Sequence, residues 1–443
     1  MHRNDMKRER RPLRRLPSAL LLGAAIALPL SACDSLLEVD DPDVLKPDQL
    51  NDASAIPTRI AGAILDFQIA FNGNFNNALL LAQGLMTDEY VHAETFPDRL
   101  EVDMRNIDRN DNQIILYLFG SLHVSRTSAQ ETAELITELE PDHESLPLMH
   151  DLRGYAEIFL AESFCSGVPS SRSEGSNLVF GEPRTTAQVF EDAVEAFDAA
   201  LALDAADRLA QIGKARALLN LGRFDEAAAA VASVPTGFVE FVRHSSTTPS
   251  QENALWGLAN NGRISVADRE GGEGLPFRSA DDPRVPWIDT GTTGFDASTP
   301  LFLQLVSPEI DSDVVLASGI EARLIEAEAA LQRGDRTTFF ARHNAVRATE
   351  GLAPFSDTGQ TRAALEDLHF RERAFWFYST GHRLGDMRRL IRQYGRAADT
   401  VFPSGPYFKG GNYGTDVNFP IPVEEDNNPN TSPLEEGCLD RNA

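Results

Sequence analysis

The feature that most constrains the fold of this chain is the helical spacing of its apolar residues. In residues 55–72, Ile60, Ile64 and Phe67 recur at steps of three or four residues and therefore share one helix face. Longer segments such as residues 112–140 have a similar period, whereas strand-like alternation is scarce throughout the sequence. We therefore predict a mainly α protein with long irregular loops.

The segment at residues 214–234 has the pattern of two short antiparallel helices. Ala215 falls in the first helix, Gly222 at the turn and Ala227 in the second helix, so that the two helices can approach closely. This pattern resembles a tetratricopeptide repeat, and a second, less regular copy further along has Phe339 where alanine is expected. We predict a repeat scaffold with helix pairs near residues 112–164, 186–234 and 320–348, and a region of irregular ligand-binding loops at residues 246–300.

The start of the chain has the order of segments typical of a secretory leader. A basic segment at residues 7–15 precedes an apolar run at residues 16–30 that is short for a membrane-spanning helix. The Leu-Ser-Ala-Cys sequence at residues 30–33 resembles the lipobox of bacterial lipoproteins. The resemblance implies removal of residues 1–32 and acylation of Cys33, where several acyl chains would hold the protein on a membrane. The alternatives are an ordinary cleavage site with an incidental cysteine, and a retained anchor.

The charge of the predicted mature chain excludes one class of partner. The whole chain has 40 basic and 67 acidic residues, and residues 1–32 account for seven and two of them, which leaves 33 basic and 65 acidic residues and a formal charge of −32. Such a surface repels nucleic acid, so we expect no DNA or RNA binding. The 411 residues after the leader are enough for one large or two medium domains, and we predict a single domain at residues 33–443.

Two cysteines, Cys165 and Cys438, remain after Cys33 is set aside. In an exported protein they can form a disulfide. They can equally remain two free, buried thiols. The sequence leaves both alternatives open.

The sequence contains no recognisable catalytic or metal-binding motif. It has no His-Glu-x-x-His, no phosphate-binding glycine loop and no Gly-x-Ser-x-Gly. Residues 108–119 begin like a calcium loop, but Gln113 and Phe119 stand where glycine and glutamate are required. Acidic pairs such as Glu424 and Glu425 arise by chance among so many carboxylates. We therefore expect neither an enzyme nor a cofactor.

Candidate ligand-binding residues are the aromatic side chains of two loop regions. Tyr90 and Phe96 lie in residues 86–103, and Trp256 and Trp287 lie in the irregular region. Flat aromatic faces suit the C–H surfaces of sugars, and neighbouring amides and carboxylates can bond hydroxyl groups, as in other concave binding sites. The alternative for each ring is that it only anchors its own loop to the core.

Five segments in order resemble the SusD/RagB family of outer-membrane nutrient-binding lipoproteins. The most specific is residues 368–390, which resembles the family signature Glu-Arg…Phe…Gly-x-Arg-x-x-Asp-x-x-Arg. The chain departs from the family in being shorter than many members and in having Trp376 and Phe377 in this segment. The matching signature residues are Glu372, Arg373, Phe375, Gly381, Arg383, Asp386 and Arg389, and the other segments are residues 33–43, 151–169, 324–352 and 419–430.

The charged residues of this signature are of the type that forms ion pairs, and we expect them to attach the late helices to the repeats rather than to bind a ligand. The family resemblance implies a protein that is exposed on the outer membrane and lipid-anchored. It further implies that the protein caps a SusC-like TonB-dependent transporter and delivers an oligosaccharide or a peptide to it. The alternative is a tetratricopeptide-repeat lipoprotein that scaffolds an envelope assembly and has no small ligand. Asp34, directly after Cys33, slightly favours this alternative under the sorting rule familiar from enteric bacteria.

Overall fold

The computed structural model describes residues 52–73, 78–174, 177–431 and 437–442. All of them belong to one compact unit, Gln49–Ala443. The predicted leader, its cleavage site and Cys33 lie outside the described residues. Among the helices that are described, none combines the length and the apolar character that a membrane crossing requires.

Helices account for most of the regular structure, which confirms the predicted mainly α class. They form two groups along the chain, separated by a region of short strands and loops. The helices are α1 (Ile56–Gln68), α2 (Leu79–Met86), α3 (Pro97–Asp103), α4 (Gln113–Leu139), α5 (Leu146–Ser163), α6 (Thr186–Leu203), α7 (Arg208–Asn220), α8 (Phe224–Ala230), α9 (Ala254–Asn260), α10 (Gly319–Arg333), α11 (Arg336–Thr349), α12 (Arg362–Trp376) and α13 (Arg383–Arg392).

The strands are short and pair only two at a time. Each pair is antiparallel: β1 with β7, β2 with β5, β3 with β4, β6 with β10, and β8 with β9. The strands are β1 (Tyr90–His92), β2 (Val168–Pro169), β3 (Arg172–Glu174), β4 (Asn177–Val179), β5 (Pro183–Arg184), β6 (Val239–Val242), β7 (Ile264–Val266), β8 (Trp287–Thr293), β9 (Pro300–Gln304) and β10 (Val314–Ser318).

Helices that follow one another along the chain pack side by side: α4 on α5, α5 on α6, α6 on α7, and α10 on α11. At the centre of this stack, the ring of Phe197 in α6 packs directly against the backbones of the neighbouring helices α5 and α7. A Cβ atom on Gly154 of α5 or on Gly213 of α7 would lie 2.7 Å or 2.2 Å from Cζ of that ring. The scaffold therefore depends on these two glycines, which the sequence pattern did not single out.

Local capping determines where the repeat helices begin and end. Thr185 and Gln188 form a capping box at the start of α6. Helix α10 ends at Gly334, whose φ of 74° lies in the left-handed region that favours glycine. Helix α11 contains the Phe339 that departs from the repeat pattern. Its ring is fully buried in a small second core between α10, α11 and α12, so the larger side chain fills the space between helices.

Ion pairs attach the two late helices to the repeats, as the sequence predicts. Asp386 of α13 accepts hydrogen bonds from Arg373 of α12 (2.7 Å) and from Arg389 one turn further along α13 (2.9 Å). Arg389 also binds Glu328 of α10 through both of its terminal nitrogens, at 2.5 and 3.0 Å. All four side chains are buried. The signature residues therefore have a structural role.

The structure also resolves the alternatives for the two cysteines, because Cys165 and Cys438 form a disulfide. Cys165 lies two residues after the last turn of α5, and Cys438 lies near the end of the chain. The bond therefore joins the C-terminal segment to the helical core.

Candidate ligand-binding site

Two strand pairs lie side by side and bring the two predicted loop regions together. Strand β1, from the first region, pairs with β7, from the second. The hydroxyl of Ser265 in β7 donates to the carbonyl oxygen of Pro300 (2.9 Å) and accepts from the amide of Phe302 (2.8 Å), both in β9. The order across this surface is therefore β1, β7, β9, β8.

A cavity of about 270 Å³ opens on this surface. Its lining comes from strands β1, β7 and β9, from the turn that follows β7, and from residues 406–413. It combines aromatic rings with charged groups, which is the composition of a small-molecule site. Its principal lining side chains are Arg269, Glu270, Arg278, Phe302, Phe408 and Tyr413.

The aromatic side of the cavity is built around Phe302. The rings of Trp287 and Phe302 pack edge to face, with an interplanar angle of 84° and their centroids 5.6 Å apart. The guanidinium carbon of Arg278 lies 3.6 Å from the Phe302 centroid and 5.9 Å from Trp287. Phe408 is about half exposed, at 51%. The cavity thus has one aromatic ring fixed by its neighbours, Phe302, and one accessible ring, Phe408.

A buried pair of carboxyl groups holds residues 406–413, the segment that contributes Phe408 and Tyr413 to the cavity. Tyr407 donates its hydroxyl to Asp103 (2.6 Å), and Tyr413 donates to Glu270 (2.8 Å). Asp103 and Glu270 also interact with each other through their carboxyl groups. Burial raises the pKa of Asp103 to about 6, and burial together with the charge of Asp103 raises the pKa of Glu270 well above its usual value. The pair therefore retains a shared proton at a pH where exposed carboxyl groups have lost theirs.

An ion pair fixes the same segment to the loop after β8. Lys409 binds Asp296 at 2.6 Å, and its ammonium group also donates to the carbonyl oxygen of His92 in β1. Because Lys409 follows Phe408 directly, these contacts position the exposed ring at the mouth of the cavity.

Tyr90, one of the predicted ligand-binding residues, is a core residue, which corrects that prediction. It is fully buried, its hydroxyl is hydrogen-bonded to Ser379, and its ring packs against Tyr378 with centroids 5.5 Å apart. Alternation along β1 explains the difference, because Tyr90 and His92 point into the core while Val91 between them lines the cavity.

The other three predicted residues lie near the cavity or beside its supporting elements, but not in its lining. Trp287 supports Phe302, as described above. Phe96 precedes α3 and packs partly buried against the core, with the Arg99 guanidinium 5.1 Å from its ring centroid. Trp256 is partly exposed on α9, which packs against β7 and β9. Their contact with a ligand stays a prediction.

Sequence reasoning missed Phe302, Phe408 and Tyr413. Phe408 and Tyr413 lie in a segment rich in glycine and tyrosine, residues 404–414, a composition that could have marked them as candidates. Phe302 gave no such signal, since one phenylalanine in a five-residue strand looks like a core residue. None of the described residues forms a group of three or more side chains that could hold a metal ion.

Comparison with known proteins gives one clear result, which concerns the fold. No protein-family model matches the sequence, and no curated protein matches it. Solved structures do match: the described chain has the fold of the SusD-like proteins. At identities of 13–15% this likeness is one of fold. It confirms at that level the family resemblance found in the sequence.

Three of these structures serve as references. A SusD superfamily protein from Parabacteroides distasonis has a TM-score of 0.63 and 13% identity, with 87% of this chain and 98% of that chain covered. A laminarin-binding SusD-like protein has a TM-score of 0.62 and 14% identity, covering 86% and 98%. A SusD-like carbohydrate-binding protein from Bacteroides vulgatus has a TM-score of 0.57 and 15% identity, covering 75% and 82%.

Proposed function

We propose that this protein is a lipid-anchored, surface-exposed nutrient-binding protein that captures an oligosaccharide and passes it to a TonB-dependent outer-membrane transporter. The observation that carries the proposal is the cavity whose lining includes the rings of Phe302 and Phe408. Two of the structural neighbours are described as carbohydrate- or laminarin-binding proteins, which supports a binding role rather than a catalytic one. A peptide is the alternative nutrient.

The aromatic rings suit sugars because of how they are held. Phe302 is braced by Trp287 and covered in part by Arg278, so little conformational entropy is lost when a sugar ring stacks nearby. Hydrogen-bonding groups at the same cavity, including the Tyr413 hydroxyl and the Arg269 guanidinium, can bind sugar hydroxyls.

Removing the ring of Phe302 or of Trp287 should weaken ligand binding more than it lowers the stability of the fold. Phe302→Ala and Trp287→Ala should each lower the affinity about five- to tenfold, since a stacked ring contributes on the order of 1 kcal/mol beyond its buried area and 1.4 kcal/mol is a factor of ten. Isothermal titration calorimetry against neutral β-glucan oligosaccharides, oligogalacturonides and mixed peptides gives the affinity, and a thermal melt gives the stability.

The control is Phe180→Ala, because Phe180 is an exposed phenylalanine that lies away from the cavity lining. Its affinity should equal that of the unmodified protein. If Trp287→Ala and Phe302→Ala melt at a lower temperature but keep their affinity, these rings only anchor their loops. If peptides bind and no saccharide does, the nutrient is a peptide.

The proposed anchor at Cys33 determines how the transporter should be sought. Tethering two proteins to one membrane raises their effective concentration, so they need not bind tightly in solution. A pull-down from native membranes in mild detergent should therefore recover a large TonB-dependent barrel as the main partner. Recovery of periplasmic or inner-membrane proteins alone would favour the scaffold instead. Cys33→Ser should yield unanchored or unprocessed protein and lose the barrel.

A further inference from the structure

Two arginines of this cavity, and a third beside it, form no ion pair. Among the lysines and arginines within residues 52–73, 78–174, 177–431 and 437–442, only Arg269, Arg278 and Arg371 make no side-chain hydrogen bond and no ion pair. The chain has far more acidic than basic residues, so acidic partners are plentiful elsewhere. The concentration of unpaired cations in one place therefore requires an explanation.

Two of the three guanidinium groups belong to the cavity, and the third, that of Arg371, lines a different pocket but lies within electrostatic range of Arg269. Arg269 and Arg278 both line the cavity, and the Arg269 amide donates to the carbonyl oxygen of Leu275 (3.0 Å), which closes the turn between them. Arg371 lies with its guanidinium carbon 4.6 Å from the Phe375 centroid. The Phe375 ring in turn packs against Phe277, with centroids 5.2 Å apart, and Phe277 directly precedes Arg278.

Stacking on aromatic rings leaves these arginines free to bind an anion. Arg278 stacks on Phe302 and Arg371 on Phe375, which engages the face of each guanidinium group. The five N–H donors lie in the plane of the group and remain available for a forked, two-bond interaction with a carboxylate or a similar oxyanion. For Arg278, the Nε atom is buried and has no hydrogen-bond partner in the structure.

The nearby carboxylates already have other partners. Asp268 accepts hydrogen bonds through one oxygen from the amides of Arg278 (3.1 Å) and Ser279 (2.9 Å). Glu372 is bound by Arg284 (3.0 Å) and by Arg347 (2.9 Å).

Glu270 shares a proton with its buried partner, so it adds little negative charge to the cavity. The two guanidinium groups of the lining then face one lining carboxylate, that of Asp268, which leaves a net positive charge there on a protein whose overall charge would otherwise repel an anionic ligand.

We propose that the ligand of this cavity is an acidic oligosaccharide. Its carboxylate or sulfate groups would bind Arg269 and Arg278, while its sugar rings pack against Phe302 and Phe408. This inference rests on the proposed function, since it specifies the class of saccharide for the same site. A uronate and a sulfate ester present the same oxyanion chemistry to a guanidinium group, so the experiment includes both.

The test compares ligands that differ only in charge. Oligogalacturonides, the same oligosaccharides after methyl esterification, and a sulfated galactan oligosaccharide are titrated into the lipidated protein in detergent, at low and at high salt. We expect the free acid or the sulfated ligand to bind at least tenfold more tightly than the methyl ester. The preference should shrink at high salt, because salt screens charge interactions at exposed sites.

Arginine variants then locate the anion. Arg269→Gln and Arg278→Gln should each weaken binding of the anionic ligand about five- to tenfold and leave the methyl ester unaffected. Arg269→Gln is the variant least able to disturb folding, since Arg269 is exposed. The matched control is Arg243→Gln, because Arg243 is an exposed arginine that pairs with Asp313 away from the cavity.

Each outcome decides between the two proposals. Binding of the methyl ester as tight as that of the free acid and the sulfated ligand overturns the acidic ligand and leaves the proposed function standing. If the arginine variants lose as much affinity for the methyl ester as for the charged ligands, the acidic ligand is again overturned and the proposed function stands. If no saccharide of any charge binds, the proposed function fails, and the acidic ligand fails with it.

Discussion

Replacing Glu328 with glutamine should lower the free energy of unfolding by about 3–5 kcal/mol, the usual cost of removing one partner from a buried ion pair. Glu328 is fully buried and accepts hydrogen bonds from Arg389, His369 (3.0 Å) and the hydroxyl of Tyr394 (2.5 Å). Burial alone would raise the pKa of Glu328, but the charge of Arg389 and the contact with His369 outweigh it and hold this pKa well below the usual value. The neutral glutamine would leave the buried Arg389 with Asp386 as its remaining carboxylate.

Chemical denaturation at neutral pH measures this loss, and Arg333→Gln provides the control on the same helix. Arg333 pairs with Asp225 at an exposed position, where an ion pair contributes roughly 0–1 kcal/mol. Because the folded-state pKa of Glu328 is lowered, its contribution is present at neutral pH and declines as the pH falls below the ordinary glutamate value. A Glu328→Gln protein as stable as the control would show that the network is not what attaches α13 to α10.

Removal of the disulfide should have a comparable effect. Cys165 and Cys438 are 273 residues apart, and the chain-entropy account assigns roughly 5 kcal/mol to closing so long a loop. The double variant Cys165→Ala/Cys438→Ala should therefore unfold at a much lower denaturant concentration than the oxidised protein. Adding a reductant should lower the unfolding midpoint of the unmodified protein toward that of the variant.

The variant is its own control for the reductant, because its unfolding midpoint should not respond. A midpoint that is the same for all four combinations of protein and reductant would mean that the bond adds no stability. In that case the C-terminal segment would be held by its other contacts, such as the hydrogen bonds from the side-chain amide of Asn418 to the carbonyl oxygens of Arg441 and Asn442, both 3.0 Å.

The helical scaffold could be predicted from the sequence because its signal is local. Apolar residues at three- and four-residue steps, and a glycine at a turn such as Gly334, report on helices without any knowledge of distant contacts. The ion pairs at Arg373, Asp386 and Arg389 were predictable for a similar reason. These residues lie within two successive helices, and their spacing matches a family pattern.

The site could not be predicted in the same way, because it depends on contacts between distant residues. Strand β1 has three residues, too few for alternation to be seen, so nothing in the sequence indicated that Tyr90 faces the core. Asp103 meets Glu270 and Tyr407 only after the chain has folded. The unpaired arginines are not visible either, since an arginine such as Arg383 finds its carboxylate in Asp88, 295 residues away.

The disulfide also determines what a single proteolytic cut could release. A cut at any single peptide bond between residues 166 and 437 leaves both fragments joined through Cys165 and Cys438. This span includes β7, β8 and β9, the loops of the cavity and every helix from α6 onward. The N-terminal fragment, which would carry the anchor, therefore keeps the binding site attached after a nick in any exposed loop of this span. For a cut within the span, loss of the cavity would require a second cut or a reductant.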